Sequence, residues 1–68
     1  MTYYVAEIQN AGSYREAEKI EAKNLTAAKR IASRNQCFEG TILEIAESVN
    51  EQGFITDPIA RKENGRWN

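Results

Sequence analysis

The alternation of apolar and polar positions predicts one strand near the start of the chain and another in its second half. Residues 3–9 are aromatic and β-branched and predict a first strand, and residues 41–49 predict another. Residues 16–23 could form either a strand or a helix. Their alternation, with Glu18, Ile20 and Ala22 on one side, favours an amphipathic strand, while the helical alternative has a poorer apolar face.

One segment, residues 25–35, has helical periodicity. Leu25, Ala28, Ile31 and Ala32 recur on one face, and Asn24 before them is a suitable N-cap. This face is narrow and consists mostly of small residues. We therefore predict a helix that packs closely on a sheet.

The last part of the chain predicts short extended segments joined by turns. Residues 54–56 begin one of them, as an edge strand or a strand broken by a bend, because Pro58 cannot donate to a ladder. Residues 59–62 and 66–67 flank Asn64-Gly65, a strong hairpin signal. The order β-β-α-β-β-β predicts an α+β fold, in which a curved antiparallel sheet of about five strands carries one helix on one face.

A length of 68 residues predicts a single domain, 1–68, with function on an outer surface rather than in a deep cleft. No apolar run approaches about 18 residues, so no membrane span is expected. The one cysteine, Cys37, predicts a reducing site such as the cytoplasm and is expected to be a small packing residue.

The residue patterns that usually carry catalysis are missing from the sequence. There is no histidine, so Cys37 has no imidazole partner and no metal-ligand spacing exists. Glu44 and Glu47 are expected on opposite strand faces and cannot form a dyad. We therefore predict no enzyme, no cofactor, no metal site and no small-molecule substrate.

Positive charge is clustered although the formal net charge is -1. One cluster falls on the predicted helix and one on the hairpin, which predicts a patch able to contact phosphates or acidic partners. The alternative is that these residues only fill the solvated face of a helix and protect a sheet edge. The clusters are Lys29, Arg30 and Arg34, then Arg61, Lys62 and Arg66.

Aromatic residues add a second signal for an interface. Tyr3 and Tyr4 are adjacent and must face opposite sides of a strand, so one is expected in the core and one exposed. Trp67 is expected to pack back on the sheet. Exposed tyrosine and arginine together are typical of interface hot spots.

Several short motifs are similar to those of one protein family. They are EIQN at 7–10, AKRIAS at 28–33, QCF at 36–38, GT at 40–41 and KENGRW at 62–67. Together they resemble a family of phage-encoded anti-CRISPR proteins, the ninth-named inhibitors of the type I-F system. The resemblance covers residues 3 to 45 well and is poor from 46 to 61.

The resemblance implies a partner and a mechanism. Family members bind the Cas7-type backbone subunits of the guide-RNA surveillance complex and hinder hybridisation of target DNA. They are also reported to let the inhibited complex bind duplex DNA without sequence selection. The resemblance also implies that the protein acts in the cytoplasm of the bacterial host. Expected contacts to the complex are Tyr3, Tyr4, Lys29, Arg30, Arg34 and Gln36, and expected duplex DNA contacts are Arg61, Lys62 and Arg66.

Other functions stay open at the level of sequence. An acidic edge of Glu16, Glu18 and Glu21 suits contact with lysines of a nucleic-acid channel, or is only solvated surface. The chain could instead be a small phage-encoded nucleic-acid-binding protein, an inhibitor of another host enzyme, or a structural protein of an assembly.

Overall fold

A five-stranded antiparallel sheet carries one helix in the computed structural model, which describes residues 1–10 and 12–68. Across the sheet the strand order is β2-β1-β3-β4-β5. This confirms the predicted α+β class and the order β-β-α-β-β-β. The elements are β1 Thr2–Ile8, β2 Glu18–Glu21, α1 Leu25–Arg34, β3 Ile42–Ala46, β4 Ala60–Glu63 and β5 Arg66–Trp67.

The ambiguous segment 16–23 is a strand in its central part. β2 pairs antiparallel with β1, from Thr2 opposite Glu21 to Val5 opposite Glu18. The strand interpretation is therefore confirmed, and β2 forms one edge of the sheet. β5 forms the other edge.

Two predicted strands differ from the structure. β3 ends at Ala46 rather than at residue 49, and residues 54–56 form no strand. The reason is a turn built on Asn50, whose side-chain Oδ1 accepts hydrogen bonds from the backbone N–H groups of Gln52 at 3.0 Å and Phe54 at 2.9 Å. The chain therefore folds over the sheet before it enters β4.

The sheet is apolar on both sides, because β1 and β3 carry apolar residues at successive positions that alternate between faces. On the side that faces α1, called the helix side, the core contains Tyr3, Ala28, Ala32, Leu43, Ile45 and Ala60. On the opposite side, called the second side, it contains Ala6, Ile8, Ile42, Ala46 and Ile55.

Val49 packs on the second side, although alternation along a strand through residue 49 would place it on the side of Leu43 and Ile45. The pattern assumed a strand through residue 49, whereas alternation ends with the strand at Ala46. Glu47 also lies beyond the end of β3, so strand alternation does not test its expected position opposite Glu44.

The helix begins and packs as its sequence predicts. Asn24 caps it, with its side chain accepting from the N–H of Ala27 at 2.9 Å. Ala28 and Ala32 are its buried residues, and their small side chains let the backbone approach the sheet closely. None of the helices among residues 1–10 and 12–68 is long and apolar enough to cross a membrane.

Candidate partner-binding surface

Three cations follow the outer side of α1 and are called the basic helix face: Lys29, Arg30 and Arg34. Arg30 and Arg34 are exposed, and Lys29 is half-buried. The Lys29 Nζ lies 5.8 Å from the ring centroid of Trp67, within cation–π range. The basic helix face is therefore joined to the C-terminal strand.

Trp67 packs on the helix-side core, as expected. Its Nε1–H donates to Ser33 Oγ at 3.2 Å, so the indole is fixed at both its apolar and its polar end. A shallow open depression is lined by this ring, Thr26, Ser33 and the basic helix face. An aromatic surface is thus bordered by cations on a rigid support.

Gln36 is held from both ends of its side-chain amide. Its Oε1 accepts from Lys62 Nζ at 3.3 Å, and its Nε2 donates to Thr41 Oγ1 at 2.9 Å. Lys62 Nζ also lies 3.3 Å from Ser33 Oγ. Lys62 therefore lies on the helix side, next to the expected partner contacts, and fixes the orientation of Gln36.

Glu7 of β1 binds the loop between α1 and β3, residues 36–41, here called the anchored loop. Its Oε1 accepts from the N–H of Cys37 at 2.8 Å, and its Oε2 accepts from the N–H of Phe38 at 3.0 Å. Thr41 Oγ1 lies 2.8 Å from Oε2. One carboxylate thus satisfies two backbone donors that follow the helix end.

These hydrogen bonds change the acidity of Glu7. Desolvation raises its pKa, but the hydrogen bonds from Cys37, Thr41 and Phe38 together lower the pKa below its ordinary value. A lowered pKa means that the ionised carboxylate stabilises the fold above the pKa it has in the unfolded chain. That contribution is lost as pH falls through the lower folded-state pKa.

Phe38 is a surface residue that reasoning from composition and spacing did not single out. It is 68% exposed although it is a large apolar side chain. The sequence signal that could have identified Phe38 was Gly40, because a glycine soon after a helix indicates a tight turn at the surface. In the structure Gly40 has a φ of 81°. Cys37 is also exposed, which corrects its expected packing role: Glu7 holds the backbone of Cys37 and leaves its side chain outside.

The tyrosine pair divides as predicted, one in the core and one with accessible surface. Tyr3 is 3% exposed in the helix-side core, so its expected contact with a partner is wrong because its side chain has almost no surface to offer. Tyr4 is half-buried on the second side, opposite Lys19 and Ala46. Tyr4 therefore does not join the basic helix face.

The three cations of the hairpin do not form one patch. Lys62 and Trp67 pair across β4 and β5 and lie on the helix side, so alternation places Arg61 and Arg66 on the second side. The sequence cluster is therefore split between two surfaces. Their contact with duplex DNA stays a prediction.

Arg61 is bound to Glu44, which lies directly opposite on β3. Its Nη2 is 2.7 Å and its Nε 3.2 Å from Glu44 Oε2. The hydrogen bond and the negative charge of Glu44 raise the pKa of the Arg61 guanidinium. Much of its charge is therefore compensated inside the protein, whereas Arg66 is exposed.

Replacing Arg61 is expected to destabilise the protein. Glu44 is only 9% exposed and loses its charged partner in Arg61→Ala. We therefore expect the free energy of unfolding to fall by about 1–2 kcal/mol at neutral pH. Arg66→Ala, on the same side but exposed, is the control and should cost less than about 0.5 kcal/mol. Urea unfolding measures both, and equal stability of the two variants would contradict the structural role of Arg61.

The acidic edge is distributed over both sides of β2. Glu21 accepts from Thr2 Oγ1 at 2.6 Å and lies 3.9 Å from the N-terminal amine. Glu18 lies on the helix side, where it lines a shallow pocket with Glu7, Arg15 and Glu16. Within residues 1–10 and 12–68, no group of three or more potential ligand residues could hold a metal ion.

Comparisons with known proteins give an informative likeness among solved structures. No protein-family model and no curated protein matches the chain. Among solved structures, AcrIF9 is similar, with a TM-score of 0.78 and 43% sequence identity, over 100% of this chain and 83% of that chain. The likeness therefore includes residues 46–61, where the short motifs no longer match.

Proposed function

The chain belongs to the AcrIF9 family of type I-F anti-CRISPR inhibitors, as its motifs predicted, and we propose that it binds the Cas7-type backbone subunits of a type I-F surveillance complex. Bound there, beside the guide RNA, it hinders target DNA from hybridising to the guide. The protein acts by binding and not as an enzyme, in the cytoplasm of the bacterial host.

The observation that carries this proposal is the surface formed by α1, Trp67 and the anchored loop that follows the helix. It combines exposed cations, a supported indole ring and an exposed phenylalanine, the kinds of side chain that are enriched in or dominate protein interfaces. Charge complementarity would guide it to acidic loops or guide-RNA phosphates. This surface contains the basic helix face, Gln36, Phe38 and Trp67.

Blocking hybridisation follows from where specificity resides in guide-directed recognition. The target is read by base pairing to the guide, inside a positively charged channel of the complex. A protein seated on the backbone subunits excludes the target strand without contacting its sequence. The acidic edge, with Glu18 and Glu21, suits contact with lysines that line such a channel.

Contact with duplex DNA is the second part of the proposal. We assign it first to Arg66, which is exposed, and in a smaller part to Lys62, which holds Gln36 on the opposite side, and to Arg61, whose charge Glu44 already compensates. Contacts to phosphates are largely independent of sequence, which suits duplex binding without sequence selection.

A free-standing nucleic-acid-binding protein is the alternative that one observation favours. The Trp67 ring, bordered by Lys29, Arg30 and Arg34, has the composition of a base-stacking platform with cations along it. The net charge of -1 argues against it as the main role. Binding to duplex or single-stranded DNA without the complex, with a steep dependence on salt, would favour this alternative.

Binding to a purified type I-F surveillance complex, measured by biolayer interferometry with and without prebound target DNA, tests the proposal. We expect tight binding to the free complex and strongly reduced binding when the target strand is in place. No binding at micromolar concentration would contradict the proposed partner. Equal binding to the complex with and without target DNA would contradict the blocking mechanism but would still support the proposed partner.

A further inference from the structure

We propose that Glu7 is a positioning residue for partner binding: from β1 it holds the anchored loop in the shape in which Gln36 and Phe38 meet the surveillance complex. Glu7 itself need not touch the partner. This inference rests on the proposed function, and it adds a residue that lies in the sheet, outside the contact surface.

The geometry gives Glu7 control over the loop backbone. Its two carboxylate oxygens accept from the N–H groups of Cys37 and Phe38 at 2.8 and 3.0 Å, and Cys37 is the second residue after the C-cap Asn35. Hydrogen bonds to an ionised acceptor are stronger than those between neutral groups. Two consecutive backbone units of the loop are thereby tied to a strand of the sheet.

Thr41 closes the same loop from its other end. Its Oγ1 lies 2.8 Å from Glu7 Oε2 and 2.9 Å from the carbonyl oxygen of Phe38, so its single proton goes to one of them. The same oxygen accepts from Gln36 Nε2. Glu7 is therefore the end of a chain of hydrogen bonds that also orients Gln36.

Phe38 needs this support because its side chain is not held by burial. With 68% of its surface exposed, its position depends on the loop backbone. An untethered loop would have to be ordered on binding, at a cost in conformational entropy. If only a fraction of molecules holds the competent loop, the apparent dissociation constant rises in inverse proportion to that fraction.

A direct contact of Glu7 with the partner is the competing explanation. Both of its oxygens are already engaged by the loop, which favours an indirect role. The two explanations differ in how Glu7 couples to Phe38. A residue that acts through the loop loses the part of its effect that runs through Phe38 once Phe38 is gone and keeps only the part that runs through Gln36, whereas an independent contact keeps its whole effect.

A double-mutant cycle on the full-length chain tests the coupling, with affinity for the purified type I-F complex as the readout. We expect Glu7→Gln to weaken binding about tenfold and Phe38→Ala about thirtyfold. When Glu7→Gln is added to the Phe38→Ala variant, the affinity should fall by less than about a further threefold. The matched control Glu51→Gln, an exposed glutamate in the turn after β3, carries the same charge change away from the proposed contacts and should change affinity by less than about twofold.

Hydrogen exchange of the free protein provides a readout that does not need the partner. The amides of Cys37 and Phe38 should exchange at least about tenfold faster in Glu7→Gln, while those of β3 keep their protection. If Glu7→Gln does not fold, Thr41→Val, which removes the hydroxyl that meets Glu7 Oε2, Gln36 Nε2 and the Phe38 carbonyl, should loosen the same two amides.

The outcomes separate this inference from the proposed function. Unchanged exchange, a tenfold effect of Glu7→Gln that persists in Phe38→Ala, or unchanged affinity of Glu7→Gln would each overturn the positioning role. If the wild-type chain does not bind the complex, the proposed function fails and the binding part of this inference fails with it. The exchange measurement then still decides whether Glu7 holds the loop.

Discussion

Reversing the charges of Arg30 and Arg34 together is expected to weaken binding to a type I-F surveillance complex by about 100-fold. Both side chains are exposed at the centre and end of α1, so the reversal removes two attractive charges and adds two repulsive ones at the proposed contact. Lys29 is less suitable for this test, because its charge also lies over Trp67.

The fold should tolerate this variant, since neither side chain is buried. Glutamate is a good helix former, although placing negative charge in the last turn of a helix costs a few tenths of a kcal/mol through the helix dipole. Circular dichroism and urea unfolding check that stability is retained. A loss of affinity can then be assigned to the surface and not to unfolding.

A matched control separates local charge from net charge. Lys19→Glu with Lys23→Glu changes the net charge by the same amount at exposed positions in and after β2, outside the basic helix face. We expect this control to change affinity less than about threefold. If both double variants bind as the wild type does, the basic helix face is only scaffold; if both weaken equally, only the overall charge matters.

Local signals were sufficient for the helix and the hairpin. Asn24 before a small-residue face specified α1, and Asn64-Gly65 specified the turn between β4 and β5, where Asn64 has a φ of 55° and Gly65 one of 77°. These features depend on neighbours in sequence. The class of the fold could therefore be predicted from the chain alone.

The second side of the sheet could not be predicted, because it depends on register between distant strands. Arg61 looked like a free cation until pairing placed Glu44 opposite it. The same register put Lys62 on the other side, beside Gln36. Charge counted along the sequence does not reveal which charges are already compensated.

The hydrogen bonds of the anchored loop also could not be predicted from the sequence, because they join residues that are distant along the chain. Glu7 and Phe38 are separated by 31 positions, and nothing in their spacing indicates a hydrogen bond. Tyr3 and Tyr4 were known to divide between two faces, but only packing against Ala28 and Leu43 decided that Tyr3 is the buried one. Sequence thus identified the residue types of the surface and not their supports.

The largest expected effect on stability is that of Leu43→Ala. Leu43 is 1% exposed at the centre of the helix-side core, and truncating a buried leucine costs about 3–4 kcal/mol through lost burial and a residual cavity. A domain of this length has a total stability on the order of 5 kcal/mol. We therefore expect only about 1–2 kcal/mol of the free energy of unfolding to remain, so that a measurable fraction of the molecules is unfolded at 37 °C.

The position of Leu43 explains why this change should also impair the binding surface. Leu43 lies opposite Glu7 on β1 and Lys62 on β4, the two residues that hold the anchored loop and Gln36. Weakening the core at this point loosens both supports at once. Amide exchange in the anchored loop should therefore rise together with that of β3, in contrast to Glu7→Gln, which affects the loop alone.

Ile59→Ala provides the control for hydrophobic truncation outside the core. Ile59 is 43% exposed and precedes β4, so its loss should cost less than about 1 kcal/mol. Urea unfolding followed by circular dichroism measures both variants. A cost at Leu43 no larger than that at Ile59 would mean that the contact between α1 and the sheet does not dominate the stability of this fold.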